Sequence, residues 1–275
     1  MKRLCMPLVA VAALSVAGCP PKDEEDTMTF AEAKEALSEA SASTQASELT
    51  STSIELSTNF TIGSAVEAAA DELRTFVETQ LPCAQITLQN ASLTIEYGAK
   101  AGNCTYRGHT FTGLHTVRVS KNDQAEVKVE HTWTELSNGV VKVSGTATVT
   151  WNLQDKTRHV VHELDWTRVS DHRSGKGSGD RTQSLLPGGL AEGIQVNGAR
   201  WWDGDAGHWD LAIQNVQLRW ADPVPQSGAY KLITPKDKTL SLAFTRVDED
   251  TISVKVSSGS RSFSFNVSKA TGLTE

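Results

Sequence analysis

Beyond its first twenty residues the chain lacks any long apolar run. The greasiest stretch, Leu8 to Ala17, is interrupted only by Ser15. It falls well short of the roughly 20 apolar residues that a bilayer-spanning helix needs. Basic charge is also scarce, with 26 Lys and Arg against 33 Asp and Glu. Phosphate contacts need a basic surface, so a nucleic-acid partner is excluded. Only 4 cysteines occur, too few for a disulfide-dense scaffold. No GxSxG nucleophile turn and no GxxxxGK[ST] phosphate loop occurs. No cofactor and no metal is therefore expected.

What the chain does have begins at its N-terminus. Lys2 and Arg3 precede the short apolar run, which has the length of a signal-peptide core. The run ends in Val16-Ala17-Gly18-Cys19, which resembles the lipobox of bacterial lipoproteins. That resemblance implies cleavage before Cys19 and lipidation of its thiol and new amino group. Two or three acyl chains anchor a protein stably, at about 0.8 kcal/mol per buried CH₂. In such lipoproteins Asp after the lipid cysteine favours inner-membrane retention. Pro20 stands here, which points to the outer membrane, with the face left open. Cleavage removes two basic residues and no acidic ones, so the net charge moves from −7 to −9. Residues 19–28, with Pro20, Pro21 and the acids Asp23 to Asp26, read as a stiff, solvated tether.

Cysteine usage agrees with export. Once Cys5 leaves and Cys19 is lipidated, Cys83 and Cys104 remain as a natural disulfide pair. The alternative is two free thiols used in catalysis.

Residues 29–82 read as a helical segment packed on a β domain of residues 83–275. Thr29-Phe30-Ala31-Glu32 has capping-box spacing, and a helix is expected to about Ala46. Ile54, Leu56, Phe60 and Ile62 alternate and suggest a strand. A second helix is expected from Val66 to Leu81, stopped by Pro82. From Cys83 onward the apolar period is two. Leu93/Ile95/Tyr97, Val127/Val129/His131/Trp133, Val160/His162/Leu164/Trp166 and Ile252/Val254/Val256 are examples. About a dozen such segments predict a mainly β, antiparallel meander, folded into a sandwich or partly closed barrel.

Local register follows from the turns. Gly139 in a three-residue hairpin sets Trp133 opposite Val143 and His131 opposite Gly145. A turn at Asp155-Lys156 sets Val149 opposite His162. Asn197-Gly198 is expected to turn another hairpin, and the parity switch near Gln214-Asn215 predicts a bulge. Arg173 to Gly179 reads as a flexible glycine-rich loop.

Chemistry is thinly signalled. His115 and His131 share the apolar parity of neighbouring strands, opposite or one row apart. No third ligand is in reach, so a half-buried hydrogen-bonded pair is expected rather than a metal centre. His159 and His162 point to opposite faces if they lie on a strand. Asp203 to Asp210 departs from a calcium loop at both its glycine and its glutamate positions and reads as a polar hairpin tip. Trp201, Trp202 and Trp209 offer a stacking platform for a sugar or glycolipid, while Trp133, Trp151 and Trp166 belong to the core.

The segments LPCAQITL, YGAKAGNC and RWADPVPQSGAY resemble an uncharacterised family of bacterial outer-membrane lipoproteins. That resemblance implies an exported lipoprotein and no particular reaction. The expected role is non-enzymatic, binding or structural, at the envelope. The partners are the membrane, through the lipid anchor, and an envelope protein or glycan. The rivals are a periplasmic lipid carrier, with an apolar cavity under the Val66–Leu81 helix, and a hydrolase of envelope polymers.

Overall fold

The computed structural model describes residues 27–57, 66–106, 108–121, 127–152, 155–189, 192–219, 222, 224–268 and 272–274. Cys19, Pro20, Phe60 and Ile62 lie outside them, as do the segment expected to be a signal and most of that expected to be a tether. Helix α1 spans Phe30–Ser57 and α2 spans Val66–Gln80. The strands are β1 (Gln85–Gln89), β2 (Ser92–Tyr97), β3 (Thr105–Tyr106), β4 (His109–Thr110), β5 (Thr112–Lys121), β6 (Val127–Ser137), β7 (Val141–Asn152) and β8 (Thr157–Arg168). They continue with β9 (Ser174–Leu185), β10 (Ile194–Gly204), β11 (Gly207–Leu218), β12 (Ser227–Ile233), β13 (Thr239–Arg246), β14 (Thr251–Ser258), β15 (Arg261–Ser268) and β16 (Gly272–Thr274). Among the described residues no helix is long and apolar enough to cross a membrane.

Fourteen strands form one antiparallel sheet, each beside its sequence neighbour; β3 and β4 pair separately between β2 and β5. The sheet is open, with β1 and β16 at its edges. Of the two expected forms the sandwich is thereby corrected, and the single sheet does not close into a barrel. A sandwich covers its inner face with a second sheet, whereas here α1 covers it. The chain's long helix is a single one, not the shorter helix and strand expected.

Helix α1 begins at the box read from sequence. The Thr29 amide donates to Glu32 Oε2 at 2.8 Å and the Glu32 amide to Thr29 Oγ1 at 3.3 Å. It then runs past Ala46 to Ser57, so Ile54 and Leu56 are helical, not the start of a strand. Their alternation misled because α1 is enclosed on nearly all sides from Ala42 onward, and an enclosed helix needs no apolar stripe. Its hydroxyls bond back to its own turns: Thr50 donates to the Ala46 carbonyl at 3.1 Å and Ser53 to that of Thr50 at 2.8 Å. The last two residues of the expected tether belong to the fold. Thr27 and Met28 are buried, and the Met28 amide donates to Ser258 Oγ at 3.1 Å.

Glycines on the inner face of the sheet leave room for the large side chains of neighbouring strands. Trp133, Gly145, Leu164, Gly177, Trp202 and Trp209 form one row across β6 to β11. A side chain at Gly177 would meet the Trp201 carbonyl at 2.0 Å. Gly175 and Gly179 likewise make room for Trp166 and His162. The glycine-rich segment expected to be a loop is thus strand β9, its glycines alternating on the crowded inner face. Asn197-Gly198 is a bulge within β10, not a turn, and Asn197 Oδ1 accepts from the Asn215 amide at 2.7 Å. The bulge expected near Gln214-Asn215 is present.

Two hairpins slip by two residues from the expected register. Trp133 faces Gly145 and His131 faces Ala147, because the turn is closed by Ser137 and Lys142, which shifts the pairing by three residues, and a bulge between Trp133 and Leu136, with Glu135 at φ 53°, takes one of them back. Val149 faces Val160 because the next loop is longer than a two-residue turn. Even slips keep every side chain on its face, so parity could not detect them.

Cys83 and Cys104 form the expected disulfide, with Cα atoms 5.3 Å apart. It joins the end of α2 to the strands that follow. By the chain-entropy estimate, closing a loop of this length contributes about 3 kcal/mol. Urea unfolding with a thiol reductant should show a loss of that order; an unchanged midpoint would mean the reduced chain is already constrained there.

Candidate functional site

Polar chemistry gathers between α1 and the inner face of the sheet. Alternation along β8, β9 and β10 turns Arg158, Arg181 and Arg200 inward beside Val160, Gln183 and Trp202. All three arginines are buried, although charged side chains rarely are unless paired. The strand registers step them diagonally, Arg158 beside Gln183 and Arg200 in the row of His162 and Gly179.

Each arginine holds a different stretch of α1. Arg158 Nη2 donates to Glu55 Oε1, its Nε to Gln183 Oε1, and its guanidinium lies 5.5 Å from the Trp151 ring. Arg181 Nη1 donates to Ser47 Oγ at 2.8 Å and Nη2 to His162 Nδ1 at 3.3 Å. Arg200 Nη1 donates to the Ser43 carbonyl at 3.2 Å and Nη2 to Thr44 Oγ1 at 2.6 Å. One turn further back, Trp202 Nε1 donates to Glu39 Oε1 at 3.3 Å, and Arg173 approaches the same carboxylate at 3.5 Å. Burial raises the Glu39 pKa. It depresses that of Arg158 to about 9, and that of Arg181 to about 10 with Arg200's charge adding to the effect.

His115 and His131 do meet, one row apart, and both are fully buried rather than half-buried. Tyr97 Oη lies 3.1 Å from His115 Nδ1, and His115 Nε2 lies 3.0 Å from His131 Nδ1. His131 stacks on Trp133 with 5.7 Å between ring centroids, and Trp133 Nε1 donates to Ser53 Oγ at 2.9 Å. The chain of bonds has two directions. Tyr97 donating at one end leaves an N–H at His131 Nε2, and the reverse leaves a lone pair there. Burial lowers the pKa of both rings, that of His131 to about 3. His162 falls to about 2, from burial and then from Arg181 and Arg200.

The tryptophan platform is not assembled. Trp202 and Trp209 are cross-strand partners on the inner face, stacked at 6.0 Å and buried. Trp201 alone faces outward, 40% exposed, with His208 at 5.5 Å. Adjacent strand residues take opposite faces, so the three could not share one surface. Asp203 to Asp210 forms the β10–β11 hairpin tip, and His208 Nδ1 lies 2.7 Å from Asp203 Oδ1. His159 and His162 point apart: His159 is exposed beside Asp180 and His162 is buried. Among the described residues no three His, Cys, Asp or Glu side chains converge as a metal site.

On the surface, an open groove of about 400 Å³ lies at one end of β6 to β10. Glu135, Asp165, Asp203 and Asp205 line it with Lys142 and Lys176, and Trp166 is in its floor. The sequence reading missed the three arginines. Their parity was legible at Arg158, two residues before Val160, and at Arg200, two before Trp202. Arg181 was hidden because its strand begins in the segment read as a loop. Compared with known proteins, the chain matches no protein family, no curated protein and no solved structure.

Proposed function

We propose that this chain is a bacterial envelope lipoprotein, anchored in the outer membrane through Cys19, with a non-enzymatic binding or structural role. The observation that carries the role is the direction of its reactive side chains. Tyr97, His115, His131, His162 and the three arginines are buried, and they bond to one another or to α1. The arginines fasten the helix into the sheet, and the Tyr97–His115–His131 chain is bonded within the sheet, instead of facing a substrate cleft. The Cys83–Cys104 disulfide supports an oxidising compartment. The lipobox supports the anchor, and the acidic tether carries the body away from the headgroups.

The exposed groove beside Trp166 is the surface this reading assigns to an envelope protein or glycan. Its four carboxylates and two ammonium groups favour hydroxyl-rich or cationic partners.

Replacing Cys19 by alanine is expected to move the protein from the membrane pellet to the soluble fraction and to abolish an acyl mass increment on the mature N-terminus. A Cys19→Ala protein that stays in the pellet, or a native protein of unacylated mass, would overturn the anchor.

A further inference from the structure

The interior under α1 is unbalanced in charge. Arg158 meets Glu55, but among the described residues no carboxylate makes an ion pair with Arg181 or Arg200. Glu48 lies on the Arg200 side of α1 without touching it, and Glu39 is engaged by Trp202 and Arg173. Arg181 Nε and Arg200 Nε are buried without a hydrogen-bond acceptor. Leaving charged donors unmet in a dry interior is costly.

A small crevice adjoins these groups. It measures about 10 Å³ and is lined by Ser43, Ser47, His162, Leu164, Arg200 and Trp202, among others. That is roughly the space one water needs. Hydrogen-bond accounting makes its polar lining rich in donors. Arg181 Nη2 donates to His162 Nδ1, so the neutral ring carries its proton on Nε2. Arg181 Nη1 donates to Ser47 Oγ, which leaves the Ser47 hydroxyl proton to give. Arg200 occupies the Ser43 carbonyl. The serine hydroxyls could serve a water as well; what favours an anion is the positive charge of Arg200, which has no ion-pair partner among the described residues and an unmet Nε.

We infer that the crevice between Arg200 and His162, beneath α1, binds one small inorganic anion of the halide class. The site stands whether or not Cys19 carries lipid. With α1 seated, neither phosphate nor a lipid headgroup fits the space. The anion neutralises Arg200, which holds Ser43 and Thr44, and lies beside His162 and Ser47, the partners of Arg181, and so couples anion concentration to docking of the helix.

The test uses the full-length protein in detergent, melted in sodium bromide or in sodium gluconate at equal ionic strength. Bromide is expected to raise Tm by about 3 °C for each tenfold increase beyond saturation. Arg200→Gln should abolish the rise, and Ser47→Ala, which keeps both guanidinium groups, should shift it to higher bromide. Crystals soaked in bromide should show an anomalous peak in the crevice even if Arg200→Gln does not fold. Identical melting in the two salts would overturn the site. So would a peak with no effect on melting, which is binding at crystal concentration only. Native mass spectrometry that found a tightly held acidic lipid instead would also overturn it, because the groove would then take a larger anion.

Discussion

Replacing Glu55 by alanine is expected to cost about 3–5 kcal/mol, the range for breaking a buried ion pair by removing one partner. Glu55 and Arg158 are 4% and 1% exposed, and the Glu55 carboxylate receives Arg158 Nη2 near the C-terminal end of α1. Without it Arg158 keeps Gln183 and the Trp151 face but loses the Glu55 carboxylate. Glu55→Gln should cost less, because an amide oxygen still accepts from the guanidinium. The double change Glu55→Leu with Arg158→Met should recover most of the loss, since a well-packed apolar pair often replaces a buried ion pair without penalty. Urea unfolding measures all three. A Glu55→Ala midpoint within error of the parent would mean that α1 is not held by this contact.

Acid should loosen the fold well before its carboxylates titrate. His115, His131 and His162 have folded pKa values depressed below the usual 6.5. The unfolded chain therefore takes up protons below about pH 6.5 while the fold stays neutral at these rings. Stability then falls as pH falls, by about 1.4 kcal/mol per pH unit for each ring, or about 4 for three. The window runs from about pH 6 down toward the folded values near 3 and 2. The surroundings explain the direction. His115 is enclosed by Tyr97, His131 and Trp133, and His162 by Arg181 and Arg200. Glu32 and Asp171, held down to about 2 by their hydrogen bonds and cations, lose their contribution only below the ordinary carboxylate range. Glu39, raised by burial, acts in the opposite direction as acid neutralises it.

Unfolding midpoints between pH 7 and 5 test this. Replacing His115 and His131 together by phenylalanine should remove about two thirds of the slope even if it lowers stability at pH 7. A midpoint that does not change over this range would show that the rings take up protons in the fold as readily as in the unfolded chain.

Face assignment in the sheet was legible because alternation survives any even shift of register. Trp133, His131, Val160, His162, Leu164 and Trp166 all lie inside as their parity required. The capping box at Thr29 and the disulfide were equally local in their logic. The true registers were not legible, because a longer turn offset by the bulge at Glu135, and a longer loop after β7, leave the same faces buried as the tight turns do. Nor was the candidate site, because its arginines look like ordinary polar residues until another element covers them.

Sequence by itself determined the antiparallel character of the body, the inward faces of most strands, the pairing of Cys83 with Cys104 and the start of α1. Each follows from a period, a spacing or an elimination within a short stretch. Only the tertiary structure decided that the strands stay in one open sheet, and that a helix rich in alanine, serine and threonine fills its inner face. A small-residue helix has no stripe to announce where it packs, and a buried arginine is identified by what surrounds it. The polar interior exists because α1 and β8 to β10, distant in the chain, close over the same groups.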